Sequence, residues 1–217
     1  MADVIATDLE GTLTTGATWR ATGRWIEASG RRGAYRRFLA PRLIQVPLAR
    51  RGLIDGQGFR ERWMRDLTHF LAGLDEREVR EYASWIVDQE LWPGRRTALL
   101  DELEAERQRG RRIVVASGTY QPVADVFAER IGAVGLGTPM EVREGRTTGR
   151  LAGEVGTRES KAAAVRAAAG PDRIVRAYGD TAADILMLEL AEEAVAVAPD
   201  DALRRTAASR GWRIVEG

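Results

Sequence analysis

Short β-branched runs ending in small or acidic residues alternate with helical segments, and this alternation constrains the fold more than any other feature of the chain. Such units stand at Val4–Asp8, at Arg112–Ser117 before Val123–Ile131, at Ile174–Asp180 before Ala182–Leu190, and at Ala194–Ala198 before Ala202–Ser209. A last short run is Trp212–Val215. Strand followed by helix, repeated, implies an α/β fold: a doubly wound parallel sheet with functional loops at the strand carboxyl ends. The stretch from Thr18 to about Trp92 breaks the pattern. It has helical spacing rich in Trp, Leu and Arg, interrupted at Gly30, Pro41, Pro47 and Gly52, and no strand is evident in it. It reads as a helical insert after the first strand, which divides the chain into a core of residues 1–15 and 93–217 and an insert of 16–92. Pro93-Gly94 returns the chain to the sheet, and Met140 to Thr148 predicts a β-hairpin turning at Glu144-Gly145.

Composition narrows the chemistry. The 217 residues suffice for one well-buried core and a smaller module. With no cysteine there is no disulfide, thiolate metal site or cysteine nucleophile, and the single histidine, His69, cannot build a multi-histidine centre. His69 is expected to be a surface or packing residue of the insert. Clean apolar runs such as Ile113 to Ala116 are far too short to span a bilayer, and no charged leader precedes the first strand, so the cytoplasm is the expected location. Net charge is +1, yet the insert is a cationic island containing Arg20, Arg24, Arg31, Arg32, Arg36, Arg37, Arg42, Arg50 and Arg51. Of the 33 basic residues all are arginine except Lys161. A chain that uses arginine wherever a cation serves singles out the one place where it keeps an ammonium.

Four segments carry candidate chemistry. In Asp8-Leu9-Glu10-Gly11-Thr12, two carboxylates at i and i+2 on a strand-end loop can share a pocket, where the pair can hold a hard cation and supply a nucleophile and an acid/base. A solvated acidic turn is the alternative. Ser117-Gly118-Thr119 follows an apolar run and can offer a hydroxyl and amides to phosphate oxygens, although taken alone a turn or helix cap is the better account of it. Lys161 stands early in an alanine-rich helix, where the helix dipole disfavours a cation. A point charge for a phosphoryl oxygen and a carboxylate explains it better than a solvated surface. Asp180 and Asp184 end a strand and lie one helical turn apart on the same side.

Taken in order, Asp-x-Glu-Gly-Thr, Ser after an apolar strand, Lys, and Gly-Asp-x-x-x-Asp resemble the four-motif signature of the haloacid dehalogenase superfamily. The insert after the first motif, the hairpin, and Glu144 to Arg150 running on to Lys161 resemble the branch that includes the phosphoserine phosphatases. The resemblance implies a Rossmann-like core with a helical cap and a phosphatase acting on a small phosphate monoester. By the same resemblance Asp8 is the nucleophile, Glu10 the acid/base, Ser117 a phosphoryl-oxygen ligand and Lys161 the neutralising charge, with Gly11, Thr12, Gly118 and Thr119 around the phosphate. It also implies Mg²⁺ held by Asp8, the Glu10 carbonyl and Asp180, with Asp184 acting through water or by orientation. Two departures stand out. The acid/base position is usually aspartate, so hydrolysis and transfer to another acceptor both remain readings. Thr14 to Thr18 contains no acid to meet a substrate amine, which predicts a substrate other than phosphoserine.

The insert's arginines admit three readings: a solvated helical surface, a second anionic group of the substrate met by Arg20 or Arg24, or contact with an anionic membrane surface. The membrane reading rests on arginines interleaved with Phe38, Leu39, Leu43, Ile44, Val46 and Leu48, a stripe that burial in the insert or in a dimer explains equally. Trp19, Trp25, Trp63, Trp85 and Trp92 are expected to pack inside the insert. A rival class is a non-catalytic protein whose basic insert grips nucleic acid or membrane. The complete set of Asp8, Ser117, Lys161 and Asp180 argues against it, and nucleic acid is not expected as a partner.

Overall fold

β1 (Asp3–Thr7) runs through the middle of the sheet, and Val4, Ile5 and Ala6 are closed off from solvent on both faces. A strand covered on both faces is apolar throughout, as this run is. The chain is seen here in a computed structural model that describes residues 3–40, 42, 56–153 and 158–216. β2 (Arg112–Tyr120) and β3 (Val134–Thr138) lie on one side of β1. β4 (Met140–Arg143) and β5 (Arg146–Leu151) form the separate antiparallel hairpin expected around Glu144-Gly145. β6 (Arg173–Gly179), β7 (Glu193–Val197) and β8 (Arg213–Val215) complete a six-stranded parallel sheet in the order β3-β2-β1-β6-β7-β8. Because β1 pairs with β2 on one side and β6 on the other, a crevice opens at their carboxyl ends.

The helical insert contains α1 (Thr18–Ile26), α2 (Arg32–Leu39), α3 (Gly56–Thr68) and α4 (Glu76–Ile86). Its entry and exit are stitched together: Thr15 N donates to Gly94 O (2.9 Å), Arg96 N to Leu13 O (2.8 Å), and Thr14 Oγ1 to Leu91 O (2.5 Å). Ile26, Tyr35, Trp63 and Leu67 form a local core with Phe38 and Phe70 against it. Trp63 is buried and Trp25, Trp85 and Trp92 are partly so, but Trp19 is 37% exposed and corrects the expectation for that residue. It meets Trp63 edge-on while its outer face stays in water. Leu43, Ile44, Val46, Leu48, Arg50 and Arg51 of the interleaved stripe lie outside the described residues. No helix among the described residues is long and apolar enough to cross a membrane.

On the sheet, α5 (Thr97–Gln108) and α6 (Gln121–Arg130) cover one face, placing Leu99, Leu103, Val123 and Phe127 against Ile5 and Val115. α7 (Arg158–Ala169), α8 (Ile185–Leu188) and α9 (Asp201–Arg210) cover the other, with Val165, Leu188 and Leu203 against Val4 and Ala6. Three details depart from the sequence reading. β2 runs on to Tyr120, past the expected end at Ser117, so Gly118 and Thr119 lie in the strand rather than after it. The segment expected as one helix at Ala182–Leu190 is a 3₁₀ turn, Ala182–Asp184, followed by the four-residue α8.

β3 was not expected at all. Its glycines resemble a loop, yet a Cβ on Gly135 or Gly137 would stand 2.7 Å from backbone atoms of Ala124 or Gln121, so α6 packs directly on a bare strand. The Gln121 side chain meets the β3 backbone, its Nε2 donating to Gly135 O (2.9 Å) and its Oε1 accepting from Gly137 N (2.6 Å).

Candidate active site

Parallel register brings the four motifs together. Thr7 pairs with Val115 and with Tyr178, and Asp8 N donates to Tyr178 O (2.9 Å), so Asp8 leaves the sheet level with the end of β6 and with the Ala116-Ser117 stretch of β2. Asp180 follows β6 directly, and Lys161 is on the first turn of α7. The Lys161 ammonium donates to Asp8 Oδ1 (2.7 Å) and to Asp184 Oδ1 (2.6 Å), and all three side chains are buried. Ser117 and Lys161 line one small cavity with Ala116, Leu136 and Gly137. Ser117 Oγ accepts from Thr119 N (3.3 Å).

Asp184 is committed within this cluster. Its Oδ2 accepts from Asp180 N (3.1 Å), Thr181 N (3.0 Å) and Thr181 Oγ1 (3.2 Å), while Oδ1 holds Lys161. It orients the Asp180 loop and the ammonium. Asp180 Oδ1 accepts from Thr12 Oγ1 (3.1 Å). Asp8 Oδ2 is buried with no hydrogen-bond partner, a costly condition for a carboxylate oxygen.

Oxygens of Asp8, Asp180 and Asp184 lie within 4.8 Å of one another, and one ammonium faces them. Burial raises the Asp8 carboxyl to about 6, against the opposing pull of Lys161. Burial, then the charges of Asp8 and Asp184, push Asp180 up to about 8. For Lys161 burial works downward, but Asp184 and Asp8 outweigh it and the net shift is upward. An unpaired buried oxygen beside a second crowded carboxylate suits a hard divalent cation that takes oxygen ligands.

The loop after β1 is built for this crowding. Gly11 has φ +99°, and a Cβ there would sit 1.9 Å from Asp180 Oδ2. Arg96 braces the loop from behind, its Nε donating to Thr12 O and a terminal nitrogen to Gly11 O (both 3.1 Å). The sequence reading did not single out Arg96.

Glu10 turns from this cluster toward the insert. Its Oε1 accepts from Thr18 N (3.1 Å), the first residue of α1, and the Thr18 and Thr119 hydroxyls beside the carboxyl favour its charged form. Burial nonetheless raises its pKa. α1 has no capping side chain at Ala17, so two remote carboxylates meet its free amides: Glu10 at Thr18 and Glu90 at Ala17 N (3.1 Å). Arg20 and Arg24 are not gathered at Asp8. Arg20 clasps Glu90 Oε1 through two nitrogens (3.0 and 2.9 Å) and Arg24 pairs with Oε2. Glu90 thus brings an acid to the Thr14–Thr18 segment that its own sequence lacks, with both oxygens engaged.

Fold and site together define a doubly wound α/β protein with a buried acidic centre and a single lysine at the carboxyl ends of its central strands. The chain belongs to the haloacid dehalogenase-like hydrolase family, whose model matches residues 5–189. It is 37% identical over 156 residues to the phosphoserine phosphatase SerB1 of Mycobacterium tuberculosis, covering 66% of this chain and 49% of that protein. The chain therefore spans about half the length of the curated relatives it matches first. A crystal structure of a protein of unknown function from Bordetella pertussis Tohama I is similar with a TM-score of 0.80, at 22% identity, covering 99% of this chain and 98% of that one. An apo phosphoserine phosphatase structure has a TM-score of 0.65 at 19% identity, covering 100% of this chain and 94% of that one.

Proposed function

We propose that this chain is a phosphohydrolase that takes the phosphoryl group of a small phosphate monoester onto Asp8 and releases it to water. The observation that carries this reading is the Asp8 carboxylate itself. One oxygen is fixed by Lys161, and the other is buried and unpaired at the head of the central strand. An oriented, desolvated carboxylate oxygen suits in-line attack on phosphorus, and phosphoryl transfer asks chiefly for positioning and charge neutralisation. In this reading Lys161 balances charge on the transferring group. Ser117, with the amides of Gly118 and Thr119, holds its oxygens, and Gly11 and Thr12 shape the loop beneath it. Glu10 gives its proton to the leaving oxygen and later takes one from the attacking water. Mg²⁺ would be held by Asp8, Asp180 and the Glu10 carbonyl, and when bound it supplies charge neutralisation at the phosphoryl oxygens.

Residues 16–92 act in this proposal as a cap over the core of 1–15 and 93–217, excluding water from the phosphoryl site. The substrate is a monoester other than phosphoserine. Two acids meet the Thr14–Thr18 segment: Glu90 is saturated by Arg20 and Arg24, and Glu10 is taken by the acid/base role, so neither is left to meet an amine. The direct test is p-nitrophenyl phosphate hydrolysis. Turnover is expected with Mg²⁺, abolished by a chelator and restored by adding the metal back. Equal turnover in the chelated protein would refute the metal assignment, and none under any condition would refute the hydrolase reading.

Gly11 gives a second prediction. In Gly11→Ala the new methyl displaces the Asp180 carboxylate, so the Mg²⁺ concentration for half-maximal activity should rise about tenfold, the scale typical when a metal ligand loses its support. A titration of activity against Mg²⁺ checks this, and an unchanged midpoint would remove Asp180 from the ligand set.

A further inference from the structure

Glutamate at the acid/base position has one more rotatable bond than aspartate, and an unrestrained carboxyl on that longer stem spreads over several rotamers. Here it is restrained from two directions. Thr18 begins α1, and Thr119 lies in β2 two residues beyond Ser117. Their hydroxyl oxygens are 2.7 Å apart, both residues are buried, and both hydroxyls lie beside the Glu10 carboxyl and favour its charged form, while Glu10 Oε1 accepts the Thr18 amide. Thr18 is anchored in turn: its carbonyl accepts from Thr22 Oγ1 (2.8 Å), and that hydroxyl pairs with Tyr82 OH on α4 (2.6 Å). A buried hydroxyl without a partner is costly, so these contacts hold the pair closed.

We propose that Thr18 and Thr119 are a positioning pair that aims the Glu10 carboxyl at the leaving oxygen, one hydroxyl from the insert and one from the sheet. This rests on the reading of Asp8 as nucleophile and Glu10 as proton donor. In the step concerned an Asp8 oxygen bonds to phosphorus and the bond from phosphorus to the leaving oxygen breaks. The electron pair of that bond stays on the leaving oxygen, which takes the Glu10 proton. Misaiming the carboxyl harms this step in proportion to how much the leaving oxygen needs the proton. A dinitrophenolate scarcely needs it, whereas a phenolate does.

The experiment compares kcat/KM for phenyl, p-nitrophenyl and 2,4-dinitrophenyl phosphate in wild type, Thr18→Val and Thr18→Ser, with Thr119→Val as a second variant should Thr18→Val fail to fold. The valine variants are expected to lose about tenfold or more on phenyl phosphate relative to 2,4-dinitrophenyl phosphate, steepening the dependence on leaving-group pKa. Thr18→Ser, which keeps the hydroxyl, should retain the wild-type slope. Losses equal across the series, or no loss, overturn the positioning role while the hydrolase reading stands, because a merely structural defect does not discriminate leaving groups. A wild type inert toward all three esters overturns the hydrolase reading and this proposal with it.

Discussion

Asp8→Asn should fold normally and lose about three or more orders of magnitude in turnover, because the covalent step has no substitute nucleophile. The amide matches the carboxylate in shape, so packing at the head of β1 is kept. Its oxygen can still accept from Lys161, and Asp184 continues to hold that ammonium. What is lost is the nucleophile, along with one charge of a cluster in which three carboxylates face one lysine. Turnover of p-nitrophenyl phosphate and a thermal melt of the same preparation check the prediction together. Near wild-type turnover in a folded Asp8→Asn protein would remove Asp8 from the chemistry.

Lys161→Arg should cost roughly a hundredfold or more in turnover despite conserving charge. The ammonium sits 2.7 Å from Asp8 and 2.6 Å from Asp184 in a buried site, a spacing that suits a compact cation on a flexible stem. A planar guanidinium needs more room, and the carboxylate that yields is the nucleophile. A displacement near 1 Å at a reacting atom costs about a factor of a hundred. The chain uses arginine at every other basic position, so a surface role for Lys161 predicts no loss. Steady-state kinetics with a melting curve separate the two, and retained turnover would return Lys161 to a structural role.

The sheet was legible because β1, β2 and β7 carry buried apolar runs, and β6 carries one broken only at Arg176, whose guanidinium pairs with Glu193. β3 was not, because its glycines answer to the backbone of α6 rather than to strand propensity. At the site, Asp8, Lys161, Asp180 and Asp184 could be read from residue type and order, since each stands beside the end of a strand or the start of a helix. Contacts made at long range left no such trace. Arg96 reaches back 84 residues to Thr12, and Glu90 reaches 70 to Arg20. No local pattern distinguishes a glutamate that caps a distant helix from one that faces water. Arg20 and Arg24 were read toward a ligand because their neighbourhood is short of acids, and it was Glu90, from the far end of the insert, that supplied one.

Gln121 takes up part of the hydrogen-bonding capacity of β3. An open parallel strand presents alternating carbonyl and amide groups to whatever extended chain drifts past, a standing invitation to stack copy upon copy. At β3 the carbonyl of Gly135 and the amide of Gly137 are already taken by one primary amide, whose oxygen and nitrogen meet the pair that a residue of an added strand would meet. Asp125 steadies that amide from the next turn of α6, accepting from the same Nε2 at 2.7 Å. The amide that Gln121 holds belongs to Gly137, which lines the small cavity beside Ser117 and Lys161, so the border of β3 and the wall of that cavity rest on one residue.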